Sequence, residues 1–318
     1  MPVSRTQEGV APRRRLSRAR AARFLGRMLG REVRLVLLSA HNHTVYADRA
    51  IGLVAKCHTG DFGIPFRSQA AVLGHFRAVD DVLEDLDARG APVVAPFRVE
   101  ARSTFVCDGS VLTTHRWVRH ARTGAATFVG MARTLHALHR ELRELEPPAR
   151  LLPLHAGTRR RYRALQCSLT AEWRDLLDPI VGGDLLAAIA AKAPPLQLLH
   201  GDADWRNCFA TARGPLWGDW ENMQQGPAEW DVASAAASIL RDFGRAAAEH
   251  FLAAYDGPLV HSVLFDCIDF CVAQDAIWTN APPARLARTM PLQRCLADAA
   301  EMRRRFHRRR TPRPARRA

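Results

Sequence analysis

Residues 200–207 read His200-Gly201-Asp202-Ala203-Asp204-Trp205-Arg206-Asn207, and eleven residues later the chain continues Asp219-Trp220-Glu221. Two carboxylates and an amide at this spacing suit phosphoryl transfer. Asp202 can accept the proton of an attacking hydroxyl, while Asn207 and Asp219 can hold Mg²⁺ against the phosphates of ATP. Such chemistry asks a protein mainly for positioning and charge neutralisation. Other readings of the same residues remain open: Asp202 as a turn cap, Asn207 as a loop cap and Asp219 as a surface acid. Glu221 is a further metal candidate or a structural hydrogen-bond partner. Asp204 is expected to be exposed, and Asp231 to cap a helix.

These residues need a cation that reaches phosphate. The chain has two lysines, Lys56 and Lys192, against 44 arginines. A compact ammonium is not interchangeable with a planar guanidinium, so a retained lysine is informative. Lys56 closes the apolar run Leu53-Val54-Ala55, whereas Lys192 reads as an exposed helix end. A solvated strand end is the alternative for Lys56.

The elements that position these groups follow from periodicity. Residues 16–31 form a short helix by apolar spacing, packed on the next element or lying on a membrane surface. Strands are expected at 33–39, 44–47 and 51–57 as an antiparallel meander, a helix at 68–89, strand-like structure from 91 to 96, and a strand at 111–118. From residue 126 helices dominate, at 128–145, 156–177, 182–192, 228–242, 246–255, 259–278 and 290–309. Only 198–219 interrupts them. Strands first and helices afterwards give an α+β chain of two lobes. Its parts are a basic extension with a helix (1–32), an N-lobe (33–118), a C-lobe (119–302) and an Arg-rich tail (303–318).

The motifs together resemble the aminoglycoside phosphotransferase and choline kinase superfamily, small-molecule kinases of protein-kinase-like fold. The likeness runs through Gly52-Leu53-Val54-Ala55-Lys56, Leu135-His136-Ala137-Leu138, Leu199-His200-Gly201-Asp202-(x4)-Asn207, Gly218-Asp219-Trp220-Glu221 and Gly226-Pro227-Ala228-Glu229-Trp230-Asp231. It covers about 35–280 in order. It implies a bilobal fold with a small antiparallel-sheet N-lobe and a larger, mostly helical C-lobe. It further implies Asp202 as catalytic base, Asn207 and Asp219 as Mg²⁺ ligands, and Lys56 on the α- and β-phosphates of ATP. Ser39 and Asn42 fall in the loop over the phosphates. Thr114, Arg116 and Trp117 fall where backbone groups read adenine. His200 falls where the catalytic loop is oriented, and the helix that should pair with Lys56 offers Asp80, Asp81, Glu84 and Asp85, of which Glu84 is favoured. The chain departs from the pattern in having Ser39-Ala40-His41-Asn42-His43 where a Gly-x-Gly-x-x-Gly loop would stand. Asp61-Phe62-Gly63 spells a kinase metal motif but precedes Asp202, so it is read as a turn.

Composition bounds the acceptor and the setting. Residues 1–34 carry ten Arg and two Glu, and residues 303–318 nine Arg and no acid, so the net +14 leaves −3 for everything between. An acidic body suits a cationic small-molecule hydroxyl substrate such as an aminoglycoside. Asp266 and Asp269 could face its amine, or form a solvated helix face. Trp205, Trp220, Trp230 and Trp278 could cage a quaternary amine, or be core. Gly226-Pro227 follows Asp219 by only seven positions, which leaves no room for the activation segment of a protein kinase. A second class of reading is a non-catalytic kinase-like protein whose Arg-rich ends contact nucleic acid. Seven scattered cysteines imply reduced thiols, and the absence of any run of 18 apolar residues implies no membrane span, which together give a cytoplasmic expectation.

Overall fold

The computed structural model describes residues 16–40, 43–58, 69–121, 123–148, 156–182, 185–192, 196–279 and 290–310. Asn42 and the Asp61-Phe62-Gly63 triplet lie outside them. The described chain divides into two compact units, one of residues 1–81 and 95–118, the other of residues 82–94 and 119–318.

The first unit opens with α1 (Arg18–Leu29), capped by the Ser17 hydroxyl and ended by Gly30 at φ 62°. Five strands follow: β1 (Val36–Ser39), β2 (Thr44–Asp48), β3 (Leu53–His58), β4 (Thr104–Cys107) and β5 (Ser110–Arg116). They form one antiparallel sheet in the order β1-β2-β3-β5-β4. Strand alternation explains its two faces. Leu53, Ala55 and Cys57 point to one side and join Leu16, Ala21, Leu25, Phe105 and Leu112 in a core beneath α1. Val54, Lys56 and His58 point to the other side. On β1, an edge strand, Val36, Leu37 and Leu38 are all exposed.

The helix α2 (Gln69–Ala88) contributes its first thirteen residues to this unit and the rest to the second. The expected strand at 91–96 is reduced to isolated bridges at Val93 and Pro96. The prolines at 92 and 96 lack the N–H that a ladder needs.

The second unit contains α3 (Phe128–Arg143), α4 (Ala156–Leu165), α5 (Ala171–Leu177), α6 (Leu185–Lys192), α7 (Glu229–Phe243), α8 (Arg245–Ala254), α9 (His261–Thr279) and α10 (Met290–Arg310). Where one helix is expected over 156–177 there are two, because the Thr170 hydroxyl caps a new start by accepting from the Trp173 N–H. α7 is buried from Glu229 to Leu240 and packs against α8 and α9. Between α6 and α7 lie β6 (Gln197–Leu199), β7 (Cys208–Thr211), β8 (Gly214–Trp217) and β9 (Gln224–Gly226). β6 pairs with β9, and β7 with β8. No helix among the described residues is long and apolar enough to cross a membrane.

Candidate active site

β6 runs into His200-Gly201-Asp202, and the path of this loop is set by a close backbone approach at Gly201 and by one buried carboxylate beneath it. Gly201 holds φ +84°, and a Cβ there would stand 1.8 Å from the Asn222 carbonyl oxygen. Only glycine fits a left-handed backbone at that approach. The loop is anchored from below by Asp231 in the first turn of α7. Its carboxylate, fully buried, accepts the N–H of His200 at 2.8 Å and of Gly201 at 2.9 Å. The same carboxylate lies 3.2 Å from His139 Nε2 on α3, whose Nδ1 meets the Tyr255 hydroxyl at 2.8 Å. Asp231 is therefore not the helix cap expected. It sits inside the helix, and its acceptor capacity goes to the loop.

The His200 ring is fully buried, with Nε2 2.8 Å from the Gly218 carbonyl and Nδ1 accepting from the Asp202 N–H at 3.3 Å. This pairing fixes a neutral imidazole that donates from Nε2. Burial lowers its pKa in the same direction. His200 thus ties the loop to the strand end that carries Asp219.

Asn207 ends a 3-10 turn over Trp205–Asn207. Its side-chain nitrogen donates to the Asp202 carbonyl at 2.9 Å and to a carboxylate oxygen of Asp202 at 3.2 Å. Its backbone carbonyl accepts the Gly218 N–H at 2.9 Å. The amide nitrogen is thereby spent on Asp202, which turns the amide oxygen to the other side as an acceptor. Asp219 follows Gly218, exposed and in the left-handed region at φ 64°, ψ 55°. Asp202, Asn207 and Asp219 are thus one constellation.

Its charge is lopsided. Burial, and then the charges of Asp204, Asp219, Asp275 and Glu221, push Asp202 up to about 8. Crowding by other carboxylates disfavours the charged form, and a cation placed among them would relieve it. Hard oxygen donors of this kind are what Mg²⁺ takes. The residues present fit the ion and the nucleotide phosphates it would accompany.

A layer of charged residues beneath this loop has no local signal in the sequence. Asp204, expected exposed, is 6% exposed. It accepts from the Arg206 backbone and guanidinium and lies 3.5 Å from Arg241 on α7. Arg241 also pairs with Asp242 at 2.7 Å and with Asp275 on α9. The Trp205 N–H donates to the Ser238 hydroxyl and its indole to Asp242. Burial, partly offset by Arg241, leaves Asp275 raised to about 6.

The remaining sequence candidates fall as follows. Lys56 is half-buried on β3, in register with Val45 and Thr113, on the face opposite the core beneath α1. Ser39 ends β1, paired with Val45. The backbone N–H groups of Thr114, Arg116 and Trp117 all donate within the first unit, to Ser103, Ala95 and Gly52. Any reading of an adenine edge from this segment falls to other groups, because those three donors are engaged. The Trp117 ring carries the Arg49 guanidinium at 4.8 Å. Glu84 is half-buried on α2 within the second unit. Its neighbour Asp80 accepts from the Ser103 and Thr104 hydroxyls.

Asp266 and Asp269 are occupied by an internal cation. Arg303 of α10 reaches them at 2.9 and 2.8 Å, and Lys192 lies 3.9 Å from Asp266. The four tryptophans have separate surroundings. Trp220 and Trp230 are core, Trp278 sits under Arg161, and Trp205 packs on Phe243.

An antiparallel five-stranded unit followed by a helical unit, with this loop after β6 and a carboxylate after β8, defines a protein-kinase-like α+β phosphotransferase fold. The chain belongs to the phosphotransferase enzyme family APH, whose profile matches residues 64–264. Solved structures share the fold. A microcompartment-associated aminopropanol kinase aligns over 86% of this chain and 93% of its own at 17% identity, with a TM-score of 0.63. The amicoumacin kinase hAmiN, solved with AMP-PNP, Ca²⁺ and Ami, aligns over 85% and 88% at 14% identity, TM-score 0.60. Aminoglycoside phosphotransferase APH(3'')-Id from Streptomyces rimosus aligns over 80% and 98% at 17% identity, TM-score 0.55. At such identities the likeness is one of fold. The comparison with curated protein sequences gave no match.

Proposed function

We propose that the protein is an ATP- and Mg²⁺-dependent O-phosphotransferase acting on a hydroxyl of a small molecule in the cytoplasm. The observation that carries this reading is the Asp202–Asn207 contact, within a loop whose backbone is locked by Asp231 and tied through His200 to the residue before Asp219. Bound MgATP supplies the phosphoryl group and the charge that neutralises the transfer. The Asp202 carboxylate would accept a hydrogen bond from the acceptor hydroxyl and take its proton as that oxygen bonds to the γ-phosphorus and the bond from that phosphorus to the leaving ADP oxygen breaks. Asn207 and Asp219 offer the metal its protein oxygens, with Glu221 beside them. Lys56 is the cation the first unit offers to phosphate.

A small acceptor is supported by the chain between Asp219 and α7. It is taken up by one 3-10 turn and the three-residue β9, which leaves no segment to carry a docked peptide. The neighbours of known fold include an aminopropanol kinase and an amicoumacin kinase. We infer an amine-bearing acceptor for this chain, in keeping with its acidic middle. The pairing of Asp266 and Asp269 with Arg303 weighs against that acid pair as the amine's partner.

The test is ADP release across aminoglycosides, amino alcohols, sugars and nucleosides, with Asp202→Ala and Asp219→Ala run on any acceptor found. Loss of ADP formation in both folded variants supports the assignment. Full activity in Asp202→Ala would overturn it.

A further inference from the structure

We propose that α1 is a second binding surface, separate from the phosphotransferase site, that docks the phosphate backbone of nucleic acid. The helix carries no acidic residue. Arg20, Arg23 and Arg27 recur at steps of three and four residues, so all three stand on one side of it. All three are exposed. Together with Phe24, Cys107 and Asp108 they line a cavity of about 500 Å³ between the helix and the β4–β5 turn. Asp108 is the single carboxylate there, and it is taken up by Arg20 at 2.9 Å. Among the described residues, Arg23 and Arg27 have no carboxylate partner.

The ridge is rigid. Ser17 and Gly30 cap the helix, and the Tyr46 hydroxyl donates to the Leu16 carbonyl at 3.2 Å. Ala21 and Leu25 are buried against the sheet. That last contact selects the partner. A basic helix that binds a membrane inserts its apolar side among the lipids. Here the apolar side, with Ala21 and Leu25 buried and Phe24, Met28 and Leu29 packed against the same core, is already committed to the protein, and the long side chains that stand exposed on the helix are arginines.

The arginines succeed one another every ~5 Å along the helix axis, from a rise of about 1.5 Å per residue. A nucleic-acid strand repeats its phosphates on a comparable scale, about 3.4 Å of duplex axis per phosphate on each strand. Guanidinium forks suit phosphate oxygens better than point charges do. The preceding sequence adds Arg5, Arg13, Arg14 and Arg15 against the lone Glu8, while the middle of the chain is net acidic. The N-terminal end, like the Arg-rich segment 303–318, is therefore strongly positive against an acidic middle, which favours a polyanion on it. Guanidinium contacts to phosphate oxygens carry no sequence information, so the binding proposed here is independent of sequence.

The probe is a fluorescein-labelled DNA duplex of arbitrary sequence, titrated with the full chain at several KCl concentrations and read by anisotropy. Wild type is compared with the triple variant Arg20→Gln, Arg23→Gln, Arg27→Gln, after thermal unfolding confirms that the variant folds. Each phosphate contact adds about 0.9 to the slope of log K against log salt, so the variant's slope should be shallower by about 2–3. Affinity should fall tenfold or more at low salt. An unchanged slope and affinity would assign binding to the termini and overturn the proposal. So would an absence of binding by the wild type, or binding confined to phosphatidylserine vesicles. If the triple variant does not fold, Arg23→Gln and Arg27→Gln are tested singly, each expected to shallow the slope by about 1; no change in either overturns the proposal.

Discussion

Replacing Asp231 by Asn tests whether the loop is held from beneath. The carboxylate accepts from three donors: the N–H groups of His200 and Gly201, and His139 Nε2. Asn offers one acceptor oxygen and one NH₂ at nearly the same volume. In the less costly orientation the oxygen keeps His200 and His139, and the NH₂ faces the Gly201 N–H, donor against donor. One hydrogen bond to a charged acceptor is lost, worth about 1.5–3 kcal/mol, and a buried donor is left unsatisfied at about 1–3 kcal/mol. These overlap, so the expected loss is ~2–4 kcal/mol. For a unit of this size that lowers the midpoint by roughly 5–15 °C. The Gly201 backbone is then free to shift, and Asp202 follows it directly. A misplacement of ~1 Å at a reacting group costs on the order of 100-fold in rate. Calorimetry gives the stability change, and an ADP-coupled assay with an identified acceptor gives the rate. A variant that melts within ~1 °C of wild type and turns over normally would refute the claim that Asp231 sets the loop.

Further outcomes are expected from the same geometry. Gly201→Ala should cost more than ~3 kcal/mol, because backbone must move as well as φ, whereas Gly30→Ala, with no atom near its added Cβ, should cost only the left-handed penalty of about 1–2 kcal/mol; denaturant midpoints of the two compare them directly. Arg241→Met should lose about 3–5 kcal/mol by leaving Asp204 and Asp275 without their shared cation, and Asp275→Asn in that background should restore part of it in thermal melts. Asp202→Asn should abolish ADP formation yet stabilise the protein without added divalent metal. The carboxyl ionises near pH 4 when unfolded and at about 8 when folded, so its destabilising effect is absent below pH 4, grows from 4 to 8 and is level above. The side chain keeps some solvent contact, which discounts the effect to ~1–3 kcal/mol at pH 8–9; melting curves of variant and wild type that stay parallel from pH 5 to 9 would remove the basis for it.

The parts of the fold legible in the sequence were those written in local periodicity. Leu53, Ala55 and Cys57 alternate because one face of β3 is buried, and that alternation is visible without coordinates. The spacing of Asp202, Asn207 and Asp219 was legible for a similar reason: a short loop and a hairpin bring them together, so sequence distance is close to spatial distance. Asp204 and Asp231 were misread because their partners are remote. Arg241 lies 37 positions from Asp204, and the loop N–H groups lie 30 and 31 positions from Asp231. Nothing local distinguishes an aspartate that meets such partners from one that meets water. Arg303 likewise reaches Asp266 and Asp269 across 37 and 34 positions, so the acid pair read as open in the sequence. The strand expected at 91–96 failed on its prolines, whose missing donors outweighed the flanking valines.

Asp219 keeps a backbone conformation that suits glycine, φ 64° and ψ 55°, while its side chain is exposed. A residue with a Cβ gives up about 1 kcal/mol there. Any procedure that chose amino acids for thermal resistance alone would write glycine or asparagine at this position and would erase the carboxylate in doing so. The metal-binding role proposed for Asp219 accounts for a carboxylate at a position where glycine would serve the fold as well. It also warns that consensus or stability-guided redesign of this chain should hold position 219 fixed.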